Sequence, residues 1–408
     1  MIHTMEINVE YKNVYSTDQY KLALKKSLDF IFANNFTGYD PYDGLNTSLE
    51  LLKTKKNARL GMIYFNKFSP FNIRRLFKIQ KSQQLMTLGT VANALFNLNS
   101  LDERELNFIN TLYNKLKEDT LYSRYGYHCW DARKFPIQMQ NKLIRKEVPS
   151  VVGNEIFGTF LINYYLATQK TEVLNYISSL VDFLIKEFYC EKNGYSFFRY
   201  RLDDSDENIT HNASLKAMSL LVKTSEIFGN NPHHDIIIEK VLQTALKFQN
   251  DNGSWNYSSL LNYNKEKKQI DFHQGFILDD LLLFMKKYGF NKQYQEKYIK
   301  GLEFYYNRQF LKNGQSIYRY PQKWPADIHN QAQGIITFAR AARAGFGDHY
   351  FQFARTIASW TIINMQDKNG YFYFLKYPWF TNRISYIRWS DANMAYALSV
   401  LLSRKITK

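Results

Sequence analysis

Apolar residues recur along this chain in two alternating kinds of segment. One kind is amphipathic. From about His234 to Asn250, Ile237, Ile238, Val241, Leu242, Ala245, Leu246 and Phe248 fall at helical spacing, which predicts a helix with one face buried. The other kind is apolar on nearly every side. Phe276 to Phe284 predicts a helix enclosed by protein. Between the two lies Gln249-Asn-Asp-Asn-Gly253-Ser-Trp255, where Asn252-Gly253 forces a turn, then a polar loop, then Asp271-Phe-His273-Gln-Gly275. The unit is an outer helix, a turn, a loop and an inner helix.

The rest of the chain repeats it. Outer helices are expected near residues 20–34, 102–117, 171–188, 234–250, 291–310 and 348–365. Inner helices are expected to open near 83, 150, 210, 271, 327 and 390. A long insertion carrying Arg74, Arg75, Lys78 and Lys81 interrupts the first unit, and an aromatic strand, Tyr195 to Tyr200, stands in the third. The inner helices start roughly 55 to 67 residues apart, longer than common solenoid periods, but each hairpin again buries its apolar face only against its neighbours. Both ends of the chain carry apolar inner helices that an open array would expose. The expected fold is therefore all-α: a polar arm over residues 1–17, then a single domain over 18–408. In it six helical hairpins close into an (α/α)6 toroid, with short β-hairpins in the loops at one mouth.

Composition adds a direction. The 408 residues carry a formal charge of +16, with 17% aromatic residues. That charge suits a polyanionic partner, although a lysine-rich proteome produces the same excess. Two distant cysteines, Cys129 and Cys190, suit a reducing compartment and exclude a disulfide framework or an all-cysteine zinc site. The first twenty residues hold no apolar signal core, and no run is long enough to cross a bilayer. The expectation is a cytoplasmic protein, with peripheral association at the membrane face where glycan precursors are made. No glycine-rich phosphate motif and no metal-spaced histidine pair occurs, so neither cofactor nor metal is expected, and nucleic acid is not expected as a partner.

Gln249 to Trp255 resembles the Gln-x-x-x-Gly-x-Trp turn of the α/α-toroid superfamily, which includes terpene cyclases, prenyltransferase subunits and many glycan-active enzymes. Gln366 to Phe372 is a degenerate copy. Further pieces resemble a bacterial group associated with polysaccharide biosynthesis: Gly38-Tyr-Asp40-Pro-Tyr-Asp43-Gly44-Leu-Asn46, Cys129-Trp130 with Phe135-Pro136 and Gln138, Asp271-Phe-His273-Gln-Gly275-Phe, and Arg388-Trp389-Ser-Asp391-Ala. Asp131-Ala132 departs from the Gly-Tyr expected after Trp130. The resemblance implies a toroid with a saccharide-related role and brings no catalytic residues with it.

In such a toroid every inner helix starts at one mouth. Ser150, Thr210, Asp271, Asp327 and Ser390 are cap formers at those starts, where positive helix ends favour anions. The expected acid–base residues are Asp271, His273, Asp327, His329 and Asp391, because Asp-x-His recurs in adjacent units. The expected substrate-binding residues are His128, Trp130, Asp40, Asp43, Asn212, Trp255, Arg319, Trp324, Arg383, Tyr386, Arg388 and Trp389. Aromatic faces there would stack on sugars and arginines clamp carboxylates. Each has a plainer reading: Asp271 and Asp327 as caps, Trp255 as turn packing, Asp40 and Asp43 as turn formers, and the acidic run Asp203 to Glu207 as a solvated loop. Three functions stay open. The first is a glycan-active enzyme performing hydrolysis, elimination or epimerisation on an acidic saccharide. The second is a terpenoid cyclase or prenyl-diphosphate enzyme, which needs a dry apolar cavity and toward which Asp204-Ser-Asp206-Glu207 is a loose pointer. The third is a non-catalytic glycan-binding protein.

Overall fold

A computed structural model describes residues 14–138, 142–263 and 265–403. Six outer helices, Thr17–Ala33, Glu103–Glu118, Glu172–Phe183, Pro232–Lys247, Lys292–Gln309 and Asp348–Met365, alternate with six inner helices. The inner helices are Leu85–Phe96, Val151–Thr168, His211–Phe228, His273–Tyr288, Ile328–Arg343 and Ala392–Leu402. Each inner helix packs on the next in chain order, and the last packs on the first, so the ring is closed. This is the expected α/α toroid. One continuous apolar core joins all six hairpins. Of the expected arm, residues 1–13 lie outside the described residues, while Ser16 caps the first helix through a capping box with Gln19.

The Gln-x-x-x-Gly turn explains how neighbouring hairpins lock. Gln249 Nε2 donates to Gly253 O and to Lys297 O on the next outer helix, at 3.0 and 2.9 Å. Gln366 Nε2 does the same with Gly370 O and Ala23 O, at 3.1 and 2.9 Å. A Cβ on Gly253 would stand 2.3 Å from Lys300 O, and one on Gly370 2.2 Å from Lys26 O. The sixth unit therefore grips the first outer helix as the fourth grips the fifth, and this contact closes the ring. A third copy escapes the motif. Phe310 and Ser316 stand in the Gln and Trp positions and pair as Gln249 and Trp255 do, with Gly314 pressed on Thr356 O.

The first turns of the inner helices answer these turns. Asn154, Gln274, Gln331 and Asp391 each accept from a backbone N–H, of Trp130, Trp255, Ser316 and Phe372 respectively, at 2.5 to 3.0 Å. Without these acceptors four buried donors would be orphaned. Capping is less regular than expected. Ser150, Asp271 and Asp327 accept from helix-start N–H groups. Thr210 makes no side-chain cap, and Ser390 lies inside a π-helical turn, Ile387–Asp391, that leads into the last helix.

Short antiparallel strands tie the mouth loops together. Asn208–Thr210, Ser258–Leu260 and Lys265–Lys267 join the third and fourth units. Ala326–Asp327, Tyr373–Lys376 and Thr381–Ser385 join the fifth and sixth. The insertion forms two helices, Glu50–Thr54 and Lys56–Phe68. Arg74 fastens it to the turn-rich loop, donating to both Asp43 carboxylate oxygens at 2.9 and 2.8 Å and to Asp40 O at 2.9 Å.

Candidate active site

The Asp-x-His pairs of the fourth and fifth units meet at the mouth. Asp271 is buried at its helix start and accepts from His273 N at 3.3 Å, from Gln269 Nε2 at 2.7 Å and from His273 Nδ1. Burial pushes its pKa up, but the His273 contact and these hydrogen bonds outweigh burial and hold it at about 2. An ionised Asp271 fixes the His273 tautomer, with the proton on Nδ1 and the lone pair on Nε2, the form a general base requires. The Phe272 ring is sandwiched between two imidazoles, 4.2 Å from His273 and 4.2 Å from His329 between centroids. Phe276 closes this stack edge-on, and Trp389 meets His329 at 4.8 Å. Burial, with His273 and Arg388 nearby, lowers His329 to about 3, so it is neutral, and its buried Nδ1 has no hydrogen-bond partner.

Asp327 sits where a strand becomes a helix. It pairs with Leu375 across the sheet and accepts from His329 N at 2.9 Å. Burial lifts its pKa to about 6, with Asp271 raising it and Lys67 lowering it. Trp389 Nε1 is directed at this carboxyl without reaching hydrogen-bond geometry. Two aspartates, each two residues before a histidine at a helix start, thus diverge: one is kept ionised, while the other holds its proton up to about pH 6. Environments that drive a pair of carboxyls apart in this way define acid and base roles.

Cations surround the pair. Arg319 Nε lies 3.7 Å from Asp271 Oδ2. Lys67, from the insertion, donates to Tyr318 OH at 2.6 Å, and burial lowers its pKa. Arg388 is oriented by Asp40, which also accepts from Gln84 Nε2 at 3.0 Å and from Tyr42 N at 2.9 Å. Its guanidinium lies 5.3 Å from the Trp389 ring, and Tyr42 meets the same ring edge-on. Tyr257 packs edge-on against His273. Lys67, Tyr42, Tyr257 and Tyr318 carried no signal in the sequence, because the insertion and the loops reach the mouth only through tertiary packing.

The other expected site residues are not among these contacts. Trp130 is fully buried and donates from Nε1 to Leu116 O at 2.8 Å; Trp255 is its counterpart, donating to Ala245 O at 2.9 Å. Both are packing residues, and a ring with no exposed face cannot stack on a sugar. Asp43 is consumed by Arg74, and Tyr386 lies buried under that guanidinium at 4.9 Å. His128 faces outward between Tyr122 and Tyr176. Arg383 is exposed over the Tyr373 ring and lines a groove at the seam between the first and last units. Trp324 is half-buried in the fifth mouth loop. Asn212 is buried at the third inner-helix start, and its Oδ1 is unpartnered. Asp391 is fully buried, with one oxygen held by Phe372 N and the other by Ser385 Oγ at 2.8 Å.

Below the mouth, charged residues on the inner helices pair with one another. Lys216 donates to Asp280 at 2.9 Å and lies over the Phe276 ring; Lys223 donates to Glu155 and Thr159. Arg340 bonds Asp279 at 2.7 Å and Tyr396 OH at 2.8 Å. Charges on otherwise apolar helices were the sequence signal for this cluster. A toroid centre built of ion pairs is not the dry apolar cavity a terpenoid cyclase needs. No cluster with metal-ligand character occurs among the described residues.

Fold and site define a class: an α/α toroid with an Asp–His pair at the mouth. No protein-family model matches the chain, and neither does any curated protein. Solved structures match across almost its whole length. A GH76 α-mannanase from Bacteroides thetaiotaomicron superposes with a TM-score of 0.66 at 12% identity, over 94% of this chain and 95% of that one. The cellobiose 2-epimerase of Bacillus thermoamylovorans gives 0.67 at 12% identity, over 94% and 98%. The unsaturated glucuronyl hydrolase of a Bacillus species, responsible for glycosaminoglycan degradation, gives 0.64 at 11% identity, over 95% and 96%. At such identities the likeness establishes the toroid fold. These neighbours are saccharide-acting enzymes of different reaction types.

Proposed function

We propose that this protein is a glycan-active enzyme that moves a proton at a carbon of an acidic saccharide, by epimerisation or elimination, in bacterial polysaccharide biosynthesis. The observation that carries this reading is the commitment of Asp271 to His273. A retaining hydrolase needs a free carboxylate nucleophile and an inverting one a carboxylate base. Asp271 is buried with both oxygens engaged, so the base available at the mouth is the imidazole it orients. His273 takes the proton, Asp327 is the acid, and Arg388 and Arg319 bind the substrate carboxylate, whose neutralisation acidifies the adjacent C–H. Trp389, half-buried beside His329, offers its ring. The free thiols of Cys129 and Cys190 support work in a reducing compartment, the cytoplasm.

The test is incubation of the protein with uronate-containing oligosaccharides in deuterium oxide, followed by NMR. Epimerisation should bring solvent deuterium onto a carbon and elimination should give vinylic signals of a new double bond, and His273→Ala should abolish either product while leaving the fold intact. New reducing ends with neither carbon-bound deuterium nor a new carbon–carbon double bond would establish hydrolysis instead. Undiminished formation of either product by His273→Ala would remove the assigned base.

A further inference from the structure

The insertion carries large apolar side chains that remain exposed to solvent. Its helix Lys56–Phe68 buries Met62 and Ile63 but turns Tyr64, Phe65 and Phe68 to solvent. Farther on, Phe71 is 71% exposed and Leu76 is 78% exposed; at the tip of the sixth unit's hairpin, Trp379 is 78% exposed. Aromatic contacts join the helix to that tip. Tyr64 and Phe68 are 6.3 Å apart, Phe68 and Tyr377 6.5 Å, and Tyr377 and Trp379 6.2 Å. Two hydrogen bonds fasten the seam, from Tyr377 OH to Lys67 O at 3.3 Å and from Asn382 Nδ2 to Asn66 O at 2.6 Å. The charge on this lip is one-sided. Between Gly44 and Ser100 the sole acid is Glu50, whereas Lys53, Lys55, Lys56, Arg75, Lys78 and Lys81 are exposed.

We infer that this lip docks on an anionic lipid bilayer. Tryptophan and tyrosine favour the headgroup level, and apolar side chains set among lysines and arginines bind where hydrocarbon burial and attraction to anionic lipid act together. An acidic polysaccharide matches the charge equally. It has no use for Leu51 and Leu76, whose aliphatic chains offer sugars neither a ring face nor a polar handle. Lys67 belongs both to this lip and to the mouth, so docking sets the candidate active site against the headgroups. The inference concerns binding and stands whatever reaction the site performs.

The test is co-sedimentation of the full chain with phosphatidylcholine vesicles, with and without roughly one quarter phosphatidylglycerol. The protein should sediment only with the anionic vesicles, and the bound fraction should fall as salt is raised. The triple variant Phe71→Ala, Leu76→Ala, Trp379→Ala removes only exposed side chains; with its circular dichroism unchanged, it should partition roughly tenfold or more weakly. Failure to sediment with anionic vesicles overturns the inference, as does binding that the triple variant leaves intact. Retention on an immobilised acidic polysaccharide that depends on the same three residues, without vesicle binding, would make the lip a glycan surface instead.

Discussion

Replacing Asp391 with asparagine separates a structural carboxyl from a catalytic one. The side chain is fully buried, and burial lifts its pKa from 3.8 to about 7 against hydrogen bonds from Phe372 and Ser385 that lower it. An unfolded aspartate titrates near about 3.9. With the folded value above the unfolded one, the native state binds the extra proton between them. The stability contributed by this group is full below about pH 4 and is lost as the pH rises through about 7. A shift of roughly three units, at about 1.4 kcal/mol each, sets an upper limit of ~4 kcal/mol on the cost of keeping the ionised group buried. Asparagine carries no such charge, and its Oδ1 can take the Phe372 N–H as Asn154 takes that of Trp130 at 3.0 Å. The value of about 7 already includes both hydrogen bonds, so the gain is reduced only by how well the asparagine amide replaces the carboxyl against Ser385 Oγ, about 1 kcal/mol. Asp391→Asn should therefore stabilise the protein by ~1–3 kcal/mol near pH 8 and change little near pH 4.5. Urea unfolding at the two pH values, followed by tryptophan fluorescence, measures this. A variant less stable than the parent near pH 8, or one whose stability follows pH as the parent's does, would refute the reasoning. If it were stable but had lost the reaction proposed for the site, Asp391 would belong to the chemistry after all.

Gly370→Ala should loosen ring closure. The φ of +100° alone costs roughly 1–3 kcal/mol, and the new Cβ meets Lys26 O as well. Gly289→Ala, at φ +105° with open space around it, carries only the backbone strain, so urea midpoints should show the larger loss for Gly370→Ala. Arg74→Ala leaves the Asp43 carboxylate buried without its partner and should cost ~3–5 kcal/mol. Limited proteolysis should then cut the insertion first, and an uncut insertion with parental stability would show that the pair contributes nothing net.

The repeat, the inner and outer faces and the mouth position of the two Asp-x-His pairs were legible because each depends on local order. A helix that is apolar all round has to be enclosed, and a cap has to stand at a helix start, so Asp271 and Asp327 were placed by their neighbours in the chain. The Gln-x-x-x-Gly turn was legible twice and hidden once, because Phe310 and Ser316 keep its backbone pairing without its side chains. What each side chain of the mouth faces was a different matter. Trp130 and Trp389 look alike in sequence, yet one donates into its own outer helix while the other stands over His329. Asp40 and Asp43 are three residues apart in one loop, yet Asp43 is consumed by Arg74 and Asp40 aims Arg388 at the site. Arg388 and Asp40 are 348 positions apart and become neighbours only when the last unit packs on the first. Periodicity is a property of consecutive residues, so the chain by itself determines the helices and the ring. Partner choice among buried charges and rings depends on distances between residues remote in sequence, and only the closed toroid fixes those.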